Sequence, residues 1–129
     1  MEERWCSLTS LKNYRDLQVW QKSIEWVEAI YNASKNFPQD ERFGLTSQVR
    51  RAAVSVAANI AEGAERTSTG EFLQFLGIAR GSPAEVETLL ILAERLGLLR
   101  TEQRDTLLAQ ASEIGKMLVG LQRSLRSKH

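Results

Sequence analysis

Residues 44–63 read GLTSQVRRAAVSVAANIAEG, a run whose middle holds almost nothing but small or apolar side chains. Val54 and Val56 favour strand, but Ala52, Ala53, Ala57, Ala58 and Ala61 are depleted in strands, and the run far exceeds the roughly five residues of a typical strand. The spacing predicts a buried central helix on the order of 30 Å long. Val49, Ala53, Val56, Ile60 and Ala64 recur every three or four residues as one apolar seam. Gln48, Arg51, Ser55, Asn59, Glu62 and Arg66 repeat at the same spacing as a polar stripe. With such small side chains on its seam, this helix lets its neighbours come very close.

Upstream, a first helix is expected from about Tyr14 or Leu17. Leu17, Trp20, Ile24, Val27 and Tyr31 form one apolar line, and Val19, Trp26, Ile30 and Ala33 a second beside it. Two lines are wider than one core seam needs, which predicts a self-association surface on this helix. Phe37-Pro38 ends it, because proline cannot continue a helix and restricts the residue before it. Downstream, Ser68-Thr69-Gly70-Glu71 has the form of a capping box and opens a third helix. Phe72, Phe75, Leu76 and Ala79 carry its seam, and Val86, Leu89, Leu90, Ala93 and Leu96 resume it in phase after Gly81-Ser82-Pro83. One long helix from Thr69 to Leu96, kinked at Gly81–Pro83, fits better than a fresh start capped by Ser82. Gly97-Leu98 reads as a left-handed stop with its hydrophobic contact, and Thr101 as the cap of a fourth helix. Leu107, Ala111, Ile114, Leu118, Leu121 and Leu125 make that helix pack along its whole length. The expected fold is all-α, an up-down-up-down antiparallel four-helix bundle over residues 14–126 behind a flexible leader at 1–13.

A chain of 129 residues, 43% hydrophobic and 26% charged, suits one folded domain with a real core. Its 17 basic and 16 acidic residues leave a formal charge of +1, so any basic surface must be local. The single cysteine, Cys6, excludes an intramolecular disulfide, and the lone histidine is the terminal His129. These numbers, and the missing Glu-x-x-His pairs of bundle di-iron sites, predict no metal and no cofactor. The sequence has neither a signal-peptide pattern nor a membrane-length apolar run, so a cytoplasmic protein with no membrane partner is expected. Glu62, Glu65 and Glu71 lack a histidine, lysine or cysteine partner at usable spacing, so no enzyme activity and no small-molecule substrate are expected.

Antiparallel order sets Arg50 and Arg51 beside Glu85 and Glu87. Ion pairs are expected there, and the partly buried setting predicts that Arg51→Ala costs more than a surface change. An anion held by the two guanidiniums is the alternative, against which the glutamates argue. Ser55 and Asn59, with Glu62 one turn on, read either as a solvated stripe or as a register-setting stripe buried against another subunit.

Several of these residues, in order and spacing, resemble a known family. They are Phe37-Pro38, Glu41, Phe43-Gly44-Leu45-Thr46, Gln48, Arg50-Arg51-Ala52 and Asn59-Ile60-Ala61-Glu62-Gly63. Asp16-Leu17 with Val19-Trp20-Gln21, Glu71-Phe72 with Phe75-Leu76, Gly81-Ser82 with Glu85 and Glu87, and residues 113–118 (EIGKML) extend the match. The chain resembles the bacterial four-helix-bundle proteins first described from intervening sequences in 23S rRNA genes, over nearly its whole length. Many relatives carry proline where this chain has Ala57, and most carry a non-proline residue at Pro83, so helix two should be straighter and helix three more kinked. The resemblance implies a ring-like homopentamer. Relatives encoded beside diversity-generating retroelements imply nucleic-acid binding, RNA first or DNA, through basic surface on the ring. An assembly or scaffold protein acting through protein contacts is the alternative.

The antiparallel order gathers the start of helix one, the end of helix two, the start of helix three and the end of helix four at one end of the bundle. There Lys12, Arg15, Lys22, Arg66, Arg123, Arg126 and Lys128 face Asp16, Glu62, Glu65 and Glu71, seven cations against four carboxylates and an excess of three. At the other end Lys35, Arg42, Arg50, Arg51, Arg95, Arg100 and Arg104 are balanced by Asp40, Glu41, Glu85, Glu87, Glu94, Glu102 and Asp105. A ring would multiply the basic end into a surface fit for phosphate.

Overall fold

The computed structural model describes residues 13–128. Trp5, Cys6, Leu8 and Lys12 of the expected leader, and His129, lie outside them. Four helices follow one another: α1 (Gln18–Ser34), α2 (Leu45–Ala64), α3 (Thr69–Arg95) and α4 (Thr101–Lys128), with one-turn 3-10 segments at Tyr14–Asp16 and Gln39–Glu41. Each helix packs on the next and α4 closes back on α1, which makes the expected antiparallel four-helix bundle.

The seam read in residues 44–63 is the inner face of α2, where Val49, Ala53, Val56, Ile60 and Ala64 are all buried. Gln48, Arg51, Glu62 and Arg66 of the polar stripe are exposed, while Ser55 and Asn59 are half-buried. Asn59 Nδ2 donates to the Ser55 carbonyl at 2.8 Å and to Ser55 Oγ at 3.0 Å, and Ser55 Oγ meets Ser82 Oγ of α3 at 3.1 Å. This part of the stripe is therefore a polar seam between α2 and α3 of one chain. Gly44 has no side chain to cap α2, and Glu41 reaches forward to accept from the Leu45 N–H at 3.1 Å.

The two apolar lines of α1 divide unequally. Val19, Trp26 and Ile30 are buried, and the buried Ser23 and Ser34 return their hydroxyl protons to the Val19 and Ile30 carbonyls at 2.7 and 2.8 Å. In the other line Leu17 is buried, Trp20, Ile24 and Val27 are half-buried, and only Tyr31 is exposed. Trp20 is covered by Tyr14, edge-on at 5.2 Å. The bundle itself thus covers most of the face expected to be left for another subunit. The exposed large apolar residues of the helices lie mostly on α2 and α3 instead: Val54, Ile78, Ile91 and Leu92, with Leu96 just past the end of α3.

Helix α3 runs unbroken through Gly81 and Pro83, so the fresh start at Ser82 is not taken. Ser68 Oγ accepts from the Glu71 N–H at 3.1 Å, as the capping pattern predicts. At the far end Gly97 adopts φ +80°, and the Leu98 and Gly97 N–H groups bond the Ala93 and Glu94 carbonyls at 2.9 and 3.0 Å. That is the left-handed stop read from Gly97-Leu98. The cap of α4 differs from expectation. Gln103 Oε1 accepts from the Arg100 N–H at 3.1 Å, whereas the Thr101 hydroxyl donates to Glu94 at 3.0 Å and ties the loop back to α3.

The ion pairs expected between Arg50, Arg51, Glu85 and Glu87 do not form. Consecutive helical residues point about 100° apart, so Arg50 and Arg51 cannot both face α3, nor Glu85 and Glu87 both face α2. Arg50 turns to α1, where Nε donates to the buried Ser34 Oγ at 2.8 Å and Nη2 to the Tyr31 carbonyl at 3.3 Å, with the guanidinium 4.4 Å over the Tyr31 ring. Arg51 is exposed and reaches only Ser47 Oγ, at 3.5 Å. It lines one shallow groove with Glu85 but makes no ion pair. The expected stability effect therefore moves by one residue. Arg50→Ala should cost about 1–2 kcal/mol through the lost charged hydrogen bond and ring contact, and Arg51→Ala less than about 0.5 kcal/mol. Urea midpoints of the two variants check this; equal midpoints would contradict it.

Candidate nucleic-acid interface

The end of the bundle where α1 and α3 begin and α2 and α4 finish carries the candidate residues. Asn13 orients the entry to α1, its side chain accepting from the Arg15 N–H at 2.8 Å, and Gln21 Nε2 donates to the Arg15 carbonyl at 2.8 Å. Arg15 is exposed, with its guanidinium 5.3 Å from the centre of the Tyr14 ring. Tyr14 in turn shares a groove with Ala61, Glu62, Glu65 and Arg66, which sets the α1 entry against the end of α2.

Arg66 is not a free cation. It pairs with Glu62 at 2.9 Å, and its guanidinium lies 4.8 Å over the Phe75 ring. Both partners of that pair are well exposed, so it is worth about 1 kcal/mol or less, but it removes Arg66 from the unneutralised set. Lys22, Arg123 and Arg126 are exposed, and among the described residues none forms an ion pair. Lys128 is the last residue of α4. Of the acids at this end, Glu62 is taken by Arg66, and Glu71 accepts the Ser68 hydroxyl at 3.3 Å.

The opposite end is organised differently. Arg104 bonds Asp105 at 2.8 Å and Glu94 at 3.2 Å, and its pKa is raised above the ordinary arginine value, chiefly by the hydrogen bond to Asp105. Arg42 lies 4.8 Å over the exposed ring of Phe43, and Arg50 is held by α1. Of the remaining motif residues, Trp20 and Asn59 are half-buried, Gly63 is buried, Glu87 is half-exposed and Glu85 exposed. Arg80 and Lys116, which the end-of-bundle count leaves out, stand near Arg123 along the α3–α4 pair. Helical spacing would have found them, since 80 and 116 fall on the facing flanks of neighbouring antiparallel helices.

Among the described residues no group of three or more His, Cys, Asp or Glu side chains could hold a metal ion, and no helix is long and apolar enough to cross a membrane. Fold and surface together define a four-helix-bundle protein in which basic residues outnumber acidic ones seven to four at one end and match them seven to seven at the other. The family model described as 23S rRNA-intervening sequence protein matches residues 15–120, and the chain belongs to that family. It is also similar to the crystal structure of a protein of unknown function from the S23 ribosomal protein family of Bacteroides thetaiotaomicron. The two share 29% identity at a TM-score of 0.75, over 81% of this chain and 95% of that one. No curated protein matches the chain.

Proposed function

We propose that this chain is a non-enzymatic, homo-oligomeric protein, pentameric as the resemblance implies, that binds nucleic acid, RNA first, through the basic end of the bundle. The observation that carries the reading is the charge at that end. Seven basic residues stand against four acidic ones there and seven against seven at the other end, and Lys22, Arg123 and Arg126 are exposed without carboxylate partners among the described residues. One subunit is nearly neutral overall, so binding depends on assembly placing several such ends side by side. The exposed apolar residues Ile78 and Leu92, and Leu96 in the cap that continues the helix, fall on one side of α3 by helical spacing and support self-association there.

The test is Arg123→Glu with Arg126→Glu, followed by gel shift with RNA, single-stranded DNA and duplex DNA at two salt concentrations and by light scattering. Weakened RNA binding, most marked at low salt, with the oligomer intact is the expected result. Unchanged retention by an intact oligomer removes the basic end as the binding surface, and a monomer at micromolar concentration removes the ring.

A further inference from the structure

Between α3 and α4 runs an open groove of about 610 Å³. Its floor includes Gly115 and Gly120 of α4, where a Cβ would meet nothing within 4 Å, so the α4 backbone lies bare to an incoming ligand at those two positions. Its rim carries Arg80, Lys116 and Arg123 against one carboxylate, Glu87. None of these four forms an ion pair among the described residues, so the excess of two positive charges is left for a ligand. Arg80 is held in place: its Nη1 donates at 2.9 Å to Oε1 of Gln122, a side chain only 3% exposed. A buried amide that accepts from one N–H fixes the guanidinium and leaves its other donors for an anion.

Resting on the nucleic-acid reading above, we propose that this groove is the track of a single nucleic-acid strand, held by its phosphates between Arg80, Lys116 and Arg123. Arg123 belongs both to the groove and to the basic end, so the groove continues that surface up the side of each subunit. A seam between helices whose axes lie about 8–10 Å apart has room along it for one phosphate chain. No aromatic side chain lines the groove, so bases have nothing to stack on. Binding there is therefore independent of sequence and strongly dependent on salt.

A plug tests this without changing charge. Gly120→Leu puts a side chain into open space on the groove floor, so the fold tolerates it while the track is blocked. With a fluorescein-labelled single-stranded RNA of mixed sequence, and the same sequence as DNA, Gly120→Leu should bind about tenfold more weakly at fixed salt with an unchanged oligomer. Arg80→Ala with Lys116→Ala should lower the slope of log K against log salt by about 1.4, the loss of two phosphate contacts on a single strand. Glu87→Gln should bind a few-fold more tightly. Equal losses on RNA and DNA mark the phosphodiester chain as what is read; a loss on one alone overturns phosphate-only recognition. If Gly120→Leu binds as wild type while Arg123→Glu with Arg126→Glu does not, the groove is wrong and the basic end stands. Wild type that retains neither strand at low salt overturns both, and retention of polyglutamate in place of RNA overturns the groove as a nucleic-acid track.

Discussion

Trp26→Ala is expected to cost about 3–5 kcal/mol, the largest single loss in the bundle. The indole is fully buried, and its Nε1 donates to the Leu107 carbonyl at 3.1 Å, so one side chain both fills the core and fastens α1 to α4. That contact closes the four-helix circle, because α1 and α4 pack together without being consecutive in the chain. A domain of this size is stable by about 5–15 kcal/mol, so the variant loses a fifth or more and should melt at least about 10 °C lower. Trp26→Phe separates the two roles. It keeps most of the ring volume but not the donor, and the Leu107 carbonyl sits inside α4, so about 1–2 kcal/mol is expected. Far-UV circular dichroism melts check both, and a Trp26→Ala midpoint within a degree or two of wild type would contradict the assignment.

How legible this molecule was in its sequence depends on which physical quantity each feature needed. Helix type and inner face need only periodicity, and residues 44–63 placed Val49, Ala53, Val56, Ile60 and Ala64 inside, as they are. Gly97 was legible for a local reason, since a left-handed residue followed by leucine is a stop wherever the chain goes. Side-chain pairing needs rotation as well as proximity. Counting along antiparallel helices put Arg50 and Arg51 near Glu85 and Glu87, but the turn of the helix sends Arg50 to Ser34 and leaves Arg51 outside. The same limit applies to α1, where two apolar lines suggested an open face. Tyr14, from a 3-10 turn that periodicity does not register, covers Trp20.

The candidate surface was legible as a count of charge at one end, and rotation again edits it. Arg66 drops out into a pair with Glu62 and a ring contact with Phe75, while Arg80 and Lys116 come in along the flank of α3 and α4. Gln122 could not have been singled out, because a glutamine beside a heptad seam signals nothing until the arginine opposite is seen to use it.

Gly63→Ala should destabilise the protein by about 1–2 kcal/mol, although most Gly→Ala changes in helices do the reverse. A Cβ at position 63 would stand 2.7 Å from Phe75 Cβ and 3.0 Å from Phe72 Cδ1, with the Phe72 carbonyl oxygen at 3.4 Å. Phe75 Cβ is fixed to the backbone, and Phe72 is 1% exposed, so neither can yield without moving α3. Overpacking of this kind costs about 1–3 kcal/mol. The opposing gain in helix propensity, about 1 kcal/mol in a helix interior, is smaller here because Gly63 lies in the last turn of α2. Gly120→Ala is the matched control: nothing lies within 4 Å of its added Cβ, and a gain of about 0.5–1 kcal/mol is expected. Urea midpoints should therefore shift in opposite directions. The functional consequence follows from Phe75, over which the Arg66 guanidinium lies at 4.8 Å. An α3 pushed away at Gly63 carries Phe75 with it and takes the ring from under the Arg66 guanidinium at the basic end. A Gly63→Ala protein as stable as wild type would show that the close approach of α2 and α3 is not what requires glycine there.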